Sequence, residues 1–261
     1  MEYLIYPVLG VFAGLTGGLL GIGGGLVVVP VLIFTFTLLG FDDSVLTHMA
    51  VGTSLGTIIL TSYGSVLQHH RKGAVRWDIL GWLTIGLVVG ALLGAEVAGV
   101  LKGRMLQLAF GCFALTMAAQ MGFGLKPNPK RGIPGHAGLV VSGAFIGTVS
   151  SLFGIGGGSI TVPFLSWCNV KMQEAVGTSS AGGMPIAIAG AVGFVYAGWD
   201  IGLRPEWSFG YIYLPALVGI GVTSVVFAQV GARFAHKLPA ATLKKLFSVL
   251  LVVVGLKLIF G

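Results

Sequence analysis

Gly21-Ile22-Gly23-Gly24-Gly25-Leu26-Val27-Val28-Val29-Pro30 decides the fold, because the chain carries it again as Gly154-Ile155-Gly156-Gly157-Gly158-Ser159-Ile160-Thr161-Val162-Pro163. Aligned without a gap, 10–33 and 143–166 share 12 identities in 24 positions at a constant offset of 133 in a chain of 261 residues. Such a period is an internal duplication and is read before anything else. A glycine triplet costs a helix roughly 1 kcal/mol per residue against alanine. Both copies therefore read as breaks within apolar segments. Interrupted apolar segments at matching places in two halves are the sequence mark of a membrane carrier's substrate site.

Composition agrees with a membrane setting. The chain is 55% hydrophobic and only 9% charged, with 44 glycines and a mean hydropathy of +0.97. Soluble domains carry about 25% charged residues. The formal charge of +7 does not indicate a nucleic-acid partner, because the basic residues fall in short segments between apolar runs, where membrane topology explains them. Cys112 and Cys168 have no pair spacing and predict neither a disulfide framework nor a metal site. The start of the chain shows no basic region or small-residue cleavage site, which predicts that the first apolar segment is retained.

Working outward from the glycine breaks, residues 3–20 and 26–39 form two apolar arms, and full spans follow at 45–67, 79–101 and 105–125. The second arm of 14 residues reaches only about 21 Å as a helix, short of a bilayer core of about 30 Å. The Pro- and Lys/Arg-containing stretch 126–136 reads as a cytoplasmic linker between repeats 1–125 and 137–261. Beyond it, arms at 137–153 and 159–167 flank the second break. Spans at 175–197, 209–235 and 246–260 follow, with a polar loop at 198–207 and a basic loop at 236–245. The expected fold is an all-α polytopic membrane protein of two inverted-topology repeats, each a short broken or re-entrant hairpin plus three transmembrane helices.

The inversion follows from counting. Whether the arms cross fully or turn back, a hairpin returns the chain to its starting side, and three spans then carry it to the other. Arg71, Lys72, Arg76, Lys126, Lys130, Arg131, Lys171, Arg233, Lys237, Lys244 and Lys245 share one side, 11 in all. Lys102, Arg104 and Arg204 occupy the other, and Lys257 falls within the last span. The bias puts the large set in the cytoplasm and both termini outside.

The breaks are the first candidates for chemistry. Helix N-termini expose unpaired N–H groups and about half a positive charge, which suits them to hold an anion. On this reading the anion is held at Gly23, Gly24, Gly25 and Leu26 and at Gly156, Gly157, Gly158 and Ser159, with Pro30 and Pro163 in the first turns of the arms. The alternative is close helix packing through small residues. A second repeated element, Ala50-Val51-Gly52-Thr53-Ser54 and Ala175-Val176-Gly177-Thr178-Ser179 with Ser180, offers hydroxyls to complete the shell. The alternative there is bonding of Ser and Thr to their own helix carbonyls.

Glu96 is the one acidic residue inside an apolar span, and at the 133 offset its counterpart is Gln229. It is a candidate for proton coupling, or for pairing with Lys102 six residues on. His48 precedes the first Ala-Val-Gly-Thr-Ser element and either titrates near neutral pH or caps the span. No nucleophile–base pair, metal-ligand cluster or nucleotide loop stands out, so no cofactor and no enzymatic activity are expected.

In Gly17-Gly18-Leu19-Leu20-Gly21-Ile22-Gly23-Gly24-Gly25 with Pro30, in its second copy Ser151-Leu152-Phe153-Gly154-Ile155-Gly156-Gly157-Gly158 with Pro163, and in both Ala-Val-Gly-Thr-Ser elements, the sequence resembles the TauE/SafE sulfite exporter family, also called the toluene sulfonate uptake permease family. The resemblance covers nearly the whole chain. It implies an inner-membrane carrier for sulfite, organosulfonates or related small anions. Ser150-Ser151 stands where the first copy has Gly17-Gly18, so the copies need not contribute equally.

The function expected is therefore secondary transport of a small sulfur-containing anion by alternating access, with the lipid bilayer as the other partner. A channel-like anion conduit and a membrane assembly or scaffold protein are the competing classes. The sequence leaves direction, coupling ion and oligomeric state open.

Overall fold

The computed structural model describes residues 5–20, 25–123, 132–235 and 240–261. They form ten helices and one minimal hairpin: α1 Ile5–Leu20, α2 Gly25–Leu38, α3 Asp43–Arg71, α4 Trp77–Val100, α5 Gly103–Gly122, α6 His136–Leu152, α7 Gly158–Trp167, α8 Met172–Ala197, β1 Ser208–Phe209, β2 Ile212–Tyr213, α9 Leu214–Ala235 and α10 Ala240–Phe260. Among the described residues α3, α4, α5 and α8 are long and apolar enough to cross a membrane. The protein is an all-α polytopic membrane protein. α2, with 14 residues, and α7, with 10, are the short arms, about 21 and 15 Å long at the helical rise.

The helices end where sequence chemistry ends them. α2 closes at Gly40 (φ +72°), with Phe41 N–H donating to the Phe36 carbonyl and Gly40 N–H to Thr37. α6 closes identically at Gly154 (φ +64°), with Ile155 N–H donating to Ser150 and Gly154 N–H to Ser151. Both are Schellman motifs, which need a left-handed residue just past the helix. At the end of α7, Asn169 (φ +62°) takes that role.

Packing is reciprocal between the halves. α1 lies along α9 and α6 along α4; α3 packs on α8 and α5 on α10. Glycines make the close approaches. A methyl on Gly10 would meet the Ile220 carbonyl oxygen at 2.8 Å, and one on Gly14 would meet the Ser224 carbonyl oxygen at 2.6 Å. In the other half Gly143 and Gly147 bear in the same way on Leu83 and Leu87. Small-residue packing thus joins the helices along their length, and it recurs at the triplets, where a methyl on Gly25 would lie 2.5 Å from the Gly154 carbonyl oxygen. α5 and α10 cross at Gly111 and Gly255. Arg104 at the start of α5 donates to the Leu258 and Ile259 carbonyls at the end of α10, at 3.1 and 2.8 Å. Lys257 lies 4.1 Å from the centre of the Phe34 ring.

Several expected boundaries move. The span placed at 209–235 begins at Leu214, because Gly210 (φ +58°) turns the preceding residues into a ladder pairing Ser208 with Tyr213 and Phe209 with Ile212. α3 runs on to Arg71, and α10 starts at Ala240, so Lys244 and Lys245 are helical and not in a loop. Pro30 and Pro163 are each the sixth residue of their helix, in the second turn and not the first. There each lacks the N–H that would bond the carbonyl four residues back. The linker lies largely outside the described residues.

The offset also changes along the chain. Gly10 and Gly143 are 133 apart, whereas their neighbours Ile220 and Leu83 are 137 apart. By packing, Glu96 therefore corresponds to position 233 in α9 and not to Gln229.

Candidate functional site

The second break is the better described. α6 stops at Leu152, the chain turns through Phe153-Gly154-Ile155-Gly156, and α7 begins at Gly158 with Gly157 as its cap in the left-handed region (φ +74°). Gly157 contributes no side chain to the cap. Its carbonyl accepts from the Ile160 and Thr161 N–H groups at 3.1 and 2.8 Å, while the earlier N–H groups of a helix have no intrahelical acceptor.

Three other elements close around this loop. Gly25, opening α2, faces it so closely that a methyl there would lie 2.5 Å from the Gly154 carbonyl oxygen. Ser54 of α3 donates to that same carbonyl at 2.8 Å. From α8, Gly183 approaches the Gly156 carbonyl, and the Ile186 side chain covers Gly157. The start of the first arm and the second glycine break thus meet in the core. Leu26 beside Gly25 is buried. Gly23 and Gly24 lie outside the described residues.

The Ala-Val-Gly-Thr-Ser elements have a distinct arrangement. Thr53 Oγ1 accepts from the Tyr213 N–H at 2.9 Å, and Thr178 Oγ1 accepts from the Arg76 N–H at 2.9 Å. Tyr213 and Arg76 immediately precede α9 and α4. Each threonine therefore holds the first turn of a helix belonging to the other half, satisfying a backbone donor that the helix itself cannot. Ser180 pairs with Ser65 at 2.6 Å. The Ser179 hydroxyl is buried without a partner, as are the hydroxyls of Ser150, Ser151 and Ser159. Ser150 and Ser151 were not singled out as site residues from the sequence; the available signal was their replacement of Gly17-Gly18 in the repeat.

The two titratable candidates lie elsewhere. Glu96 is exposed on α4, beside the exposed Leu92, Leu93 and Val97, on the outer face of the bundle. His48 is buried near the start of α3, where Nε2–H donates to the Ala98 carbonyl at 2.9 Å and lies 3.1 Å from that of Leu101. Its ring stacks on Tyr211 at 4.9 Å. These contacts tie the end of α4 to α3 and the hairpin. Outside the spans, Arg76 bridges Asp78 at 2.6 Å and Glu174 at 3.3 Å. The hydrogen bond to Asp78, with that to Glu174, holds its guanidinium above its ordinary range.

The buried polar side chains of the described residues are Thr35, Thr47, His48, Thr53, Ser54, Thr57, Ser150, Ser151, Thr161, Thr178, Ser179 and Ser224. The core is therefore furnished with hydroxyls, and His48 is the one basic side chain in that set. A glycine-lined break, a bare helix start and neutral hydroxyls can solvate an anion without a fixed counter-charge.

A family model for the sulfite exporter TauE/SafE matches residues 6–258. The chain belongs to that family. Among its relatives, a probable membrane transporter protein of Haemophilus influenzae is 36% identical over 258 residues, covering 98% of this chain and 97% of that protein. A probable membrane transporter protein of Methanocaldococcus jannaschii is 28% identical, covering 97% and 95%. The probable membrane transporter protein YunE of Bacillus subtilis is 27% identical, covering 100% and 98%. TauE/SafE membership and the long apolar helices together make this a multi-pass protein of a transporter family.

Proposed function

We propose that the chain is a secondary carrier of the inner membrane that moves a small sulfur-containing anion, such as sulfite or a sulfonate, by alternating access. The observation that carries the reading is the meeting of Gly25, Ser54 and Gly183 at the Gly154–Gly157 break, within a core polar only through hydroxyls and His48. The anion would sit where the two glycine-rich breaks approach, facing the bare N–H groups of the short arms. The halves would lie in the membrane in opposite senses, with both termini outside. Reciprocal packing of α1 on α9 and α6 on α4 supports that arrangement, since exchange of two inverted repeats is the usual basis of alternating access. Neither Glu96, on the outer face, nor His48, engaged with Ala98 and Leu101, is brought to this meeting point.

Purified protein in liposomes tests the reading. A carrier gives saturable sulfite or sulfonate flux with exchange of labelled for unlabelled anion. Linear, non-exchanging flux indicates a conduit, and absence of flux a scaffold. Gly157→Val should abolish the flux, because a branched side chain is strained at φ +74° and its Cβ would lie 2.6 Å from Ile186 Cδ1. Normal flux through a folded Gly157→Val protein would move the site elsewhere.

A further inference from the structure

We propose that the free hydroxyl donors of the anion seat come from the second half alone and that the seat admits one negative charge, preferring a monoanion to a dianion of the same shape; this rests on the carrier reading above. Ser150 and Ser151 are 0% exposed and Ser179 is 2% exposed, and none of the three hydroxyl oxygens has a partner. Buried polar groups are normally paired, so a cluster of orphans calls for an explanation.

Their positions supply one. Ser150 Oγ lies 3.5 Å from where a Cβ on Gly157 would stand, which puts the hydroxyl at the cap of α7. Ser151 Oγ lies 2.7 Å from the corresponding point on Gly190 and so faces α8. Ser179 is one helical turn from Gly183, the residue that abuts the Gly156 carbonyl, and shares its face of α8. Ser150 thus borders the start of α7 directly, while Ser151 faces α8 from α6 and Ser179 stands on α8 a turn from the Gly183 contact. In the first half Gly17-Gly18 occupies the place of Ser150-Ser151 and has no hydroxyl to offer. The supply of free hydroxyls is one-sided.

Its charge preference follows from what surrounds it. Among the residues whose side chains are described, no Lys, Arg, Asp or Glu is buried. Arg76, which reaches Thr178 through its backbone, has its guanidinium bonded to two carboxylates, Asp78 and Glu174, so that trio supplies no net positive charge. The attraction left is the helix starts, each equivalent to about half a charge, and neutral O–H donors. Desolvation grows with the square of the charge, so a dianion costs about four times as much to bury as a monoanion of equal size. The dipole and hydroxyl attraction grows only in proportion. A sulfonate or hydrogensulfite is therefore favoured over sulfate.

The test uses three near-isosteric probes at one pH and ionic strength with the full-length protein: dimethyl sulfone (neutral), methanesulfonate (one charge) and sulfate (two). Binding is read by calorimetry and by inhibition of labelled sulfite exchange in liposomes. Methanesulfonate should bind at least about tenfold more tightly than either other probe. Ser150→Ala, Ser151→Ala and Ser179→Ala should each weaken it about fivefold, the loss of one hydrogen bond. In the empty protein the same variants should leave Tm unchanged or raised, because each removes an unpaired buried hydroxyl. Sulfate binding as tightly as methanesulfonate would overturn the charge preference and leave the carrier standing. Serine variants that lower Tm yet bind normally would make the hydroxyls structural and overturn the seat. Absence of both sulfite exchange and methanesulfonate binding would remove the carrier reading, and this inference with it.

Discussion

Thr53 of α3 takes the N–H of Tyr213 at 2.9 Å, and Thr178 of α8 takes the N–H of Arg76 at the same distance. There the halves are interchangeable, each gripping the first turn of the other's helix. Elsewhere they diverge. Tyr6, Phe36, Phe41 and Tyr213 form an aromatic cluster beside α2, with centroid separations of 4.6–5.9 Å. The corresponding place beside α7 is filled by the aliphatic Ile79, Leu139, Leu165, Val170 and Ala175 with Cys168, and the partly buried Phe164 packs a single ring against them. Position 139 is Tyr6 displaced by 133, and position 165 is Leu32. A duplicated frame thus keeps its hydrogen-bonded joints, which depend on backbone geometry, while its fillings drift to different sizes. Drift of that kind lets one half specialise in holding a ligand and the other in sealing an end.

The largest effect expected concerns orientation, and it is all or none. Lys72→Cys and Arg204→Cys should react with a membrane-impermeant maleimide from opposite faces in oriented vesicles, position 72 from the cytoplasmic one. Reaction of both from one face would end the comparison of inverted halves.

Next comes Gly154→Val. The left-handed backbone costs a β-branched residue about 1–2 kcal/mol, and overpacking adds about 1–3 kcal/mol, since the new Cβ would lie 2.9 Å from Val29 Cγ2 and 3.0 Å from the Val51 carbonyl oxygen. Gly132→Val, with nothing within 4 Å of its Cβ, should cost far less. Equal melting temperatures for the two variants would show that the break tolerates bulk.

Thr53→Val and Thr178→Val keep volume but orphan a backbone N–H, and each should lower unfolding stability by about 1–3 kcal/mol. The comparison is sharpened if the two losses match. It is broken if only one of them matters. The smallest effect is reserved for Glu96→Gln, whose side chain faces outward. The pH dependence of anion flux should be unchanged, and a shifted profile would restore Glu96 as a proton carrier.

Much of this plan was legible in the residues. Glycine triplets and short arms announced the two breaks, and 14 apolar residues could not be mistaken for a full span. The threonines were noticed as a repeated motif, but their partners Tyr213 and Arg76 are 160 and 102 positions away, and no local pattern connects them. The hairpin before α9 was hidden because Phe209, Tyr211, Ile212 and Tyr213 are as apolar as the helix that follows. Ser150 and Ser151 were visible as a departure from the repeat. Their meaning needed burial and the lack of partners, which only the packed structure reveals.

The reciprocal pairing has a consequence in time. When α6 leaves the ribosome, α4 is already in the bilayer, and Gly143 can close on Leu83, sixty positions earlier. Gly10 has no such fortune: its neighbour Ile220 is 210 positions further along the chain. An arrangement symmetric in space is therefore built asymmetrically, with α1 inserted first and docked nearly last. Through most of synthesis its glycine-lined face must be held by lipid or by the insertion machinery. Closing so long a loop is slow, and in the first half alone α1 lacks its main neighbour, α9. Two fragments cut at the linker should accumulate only when made together.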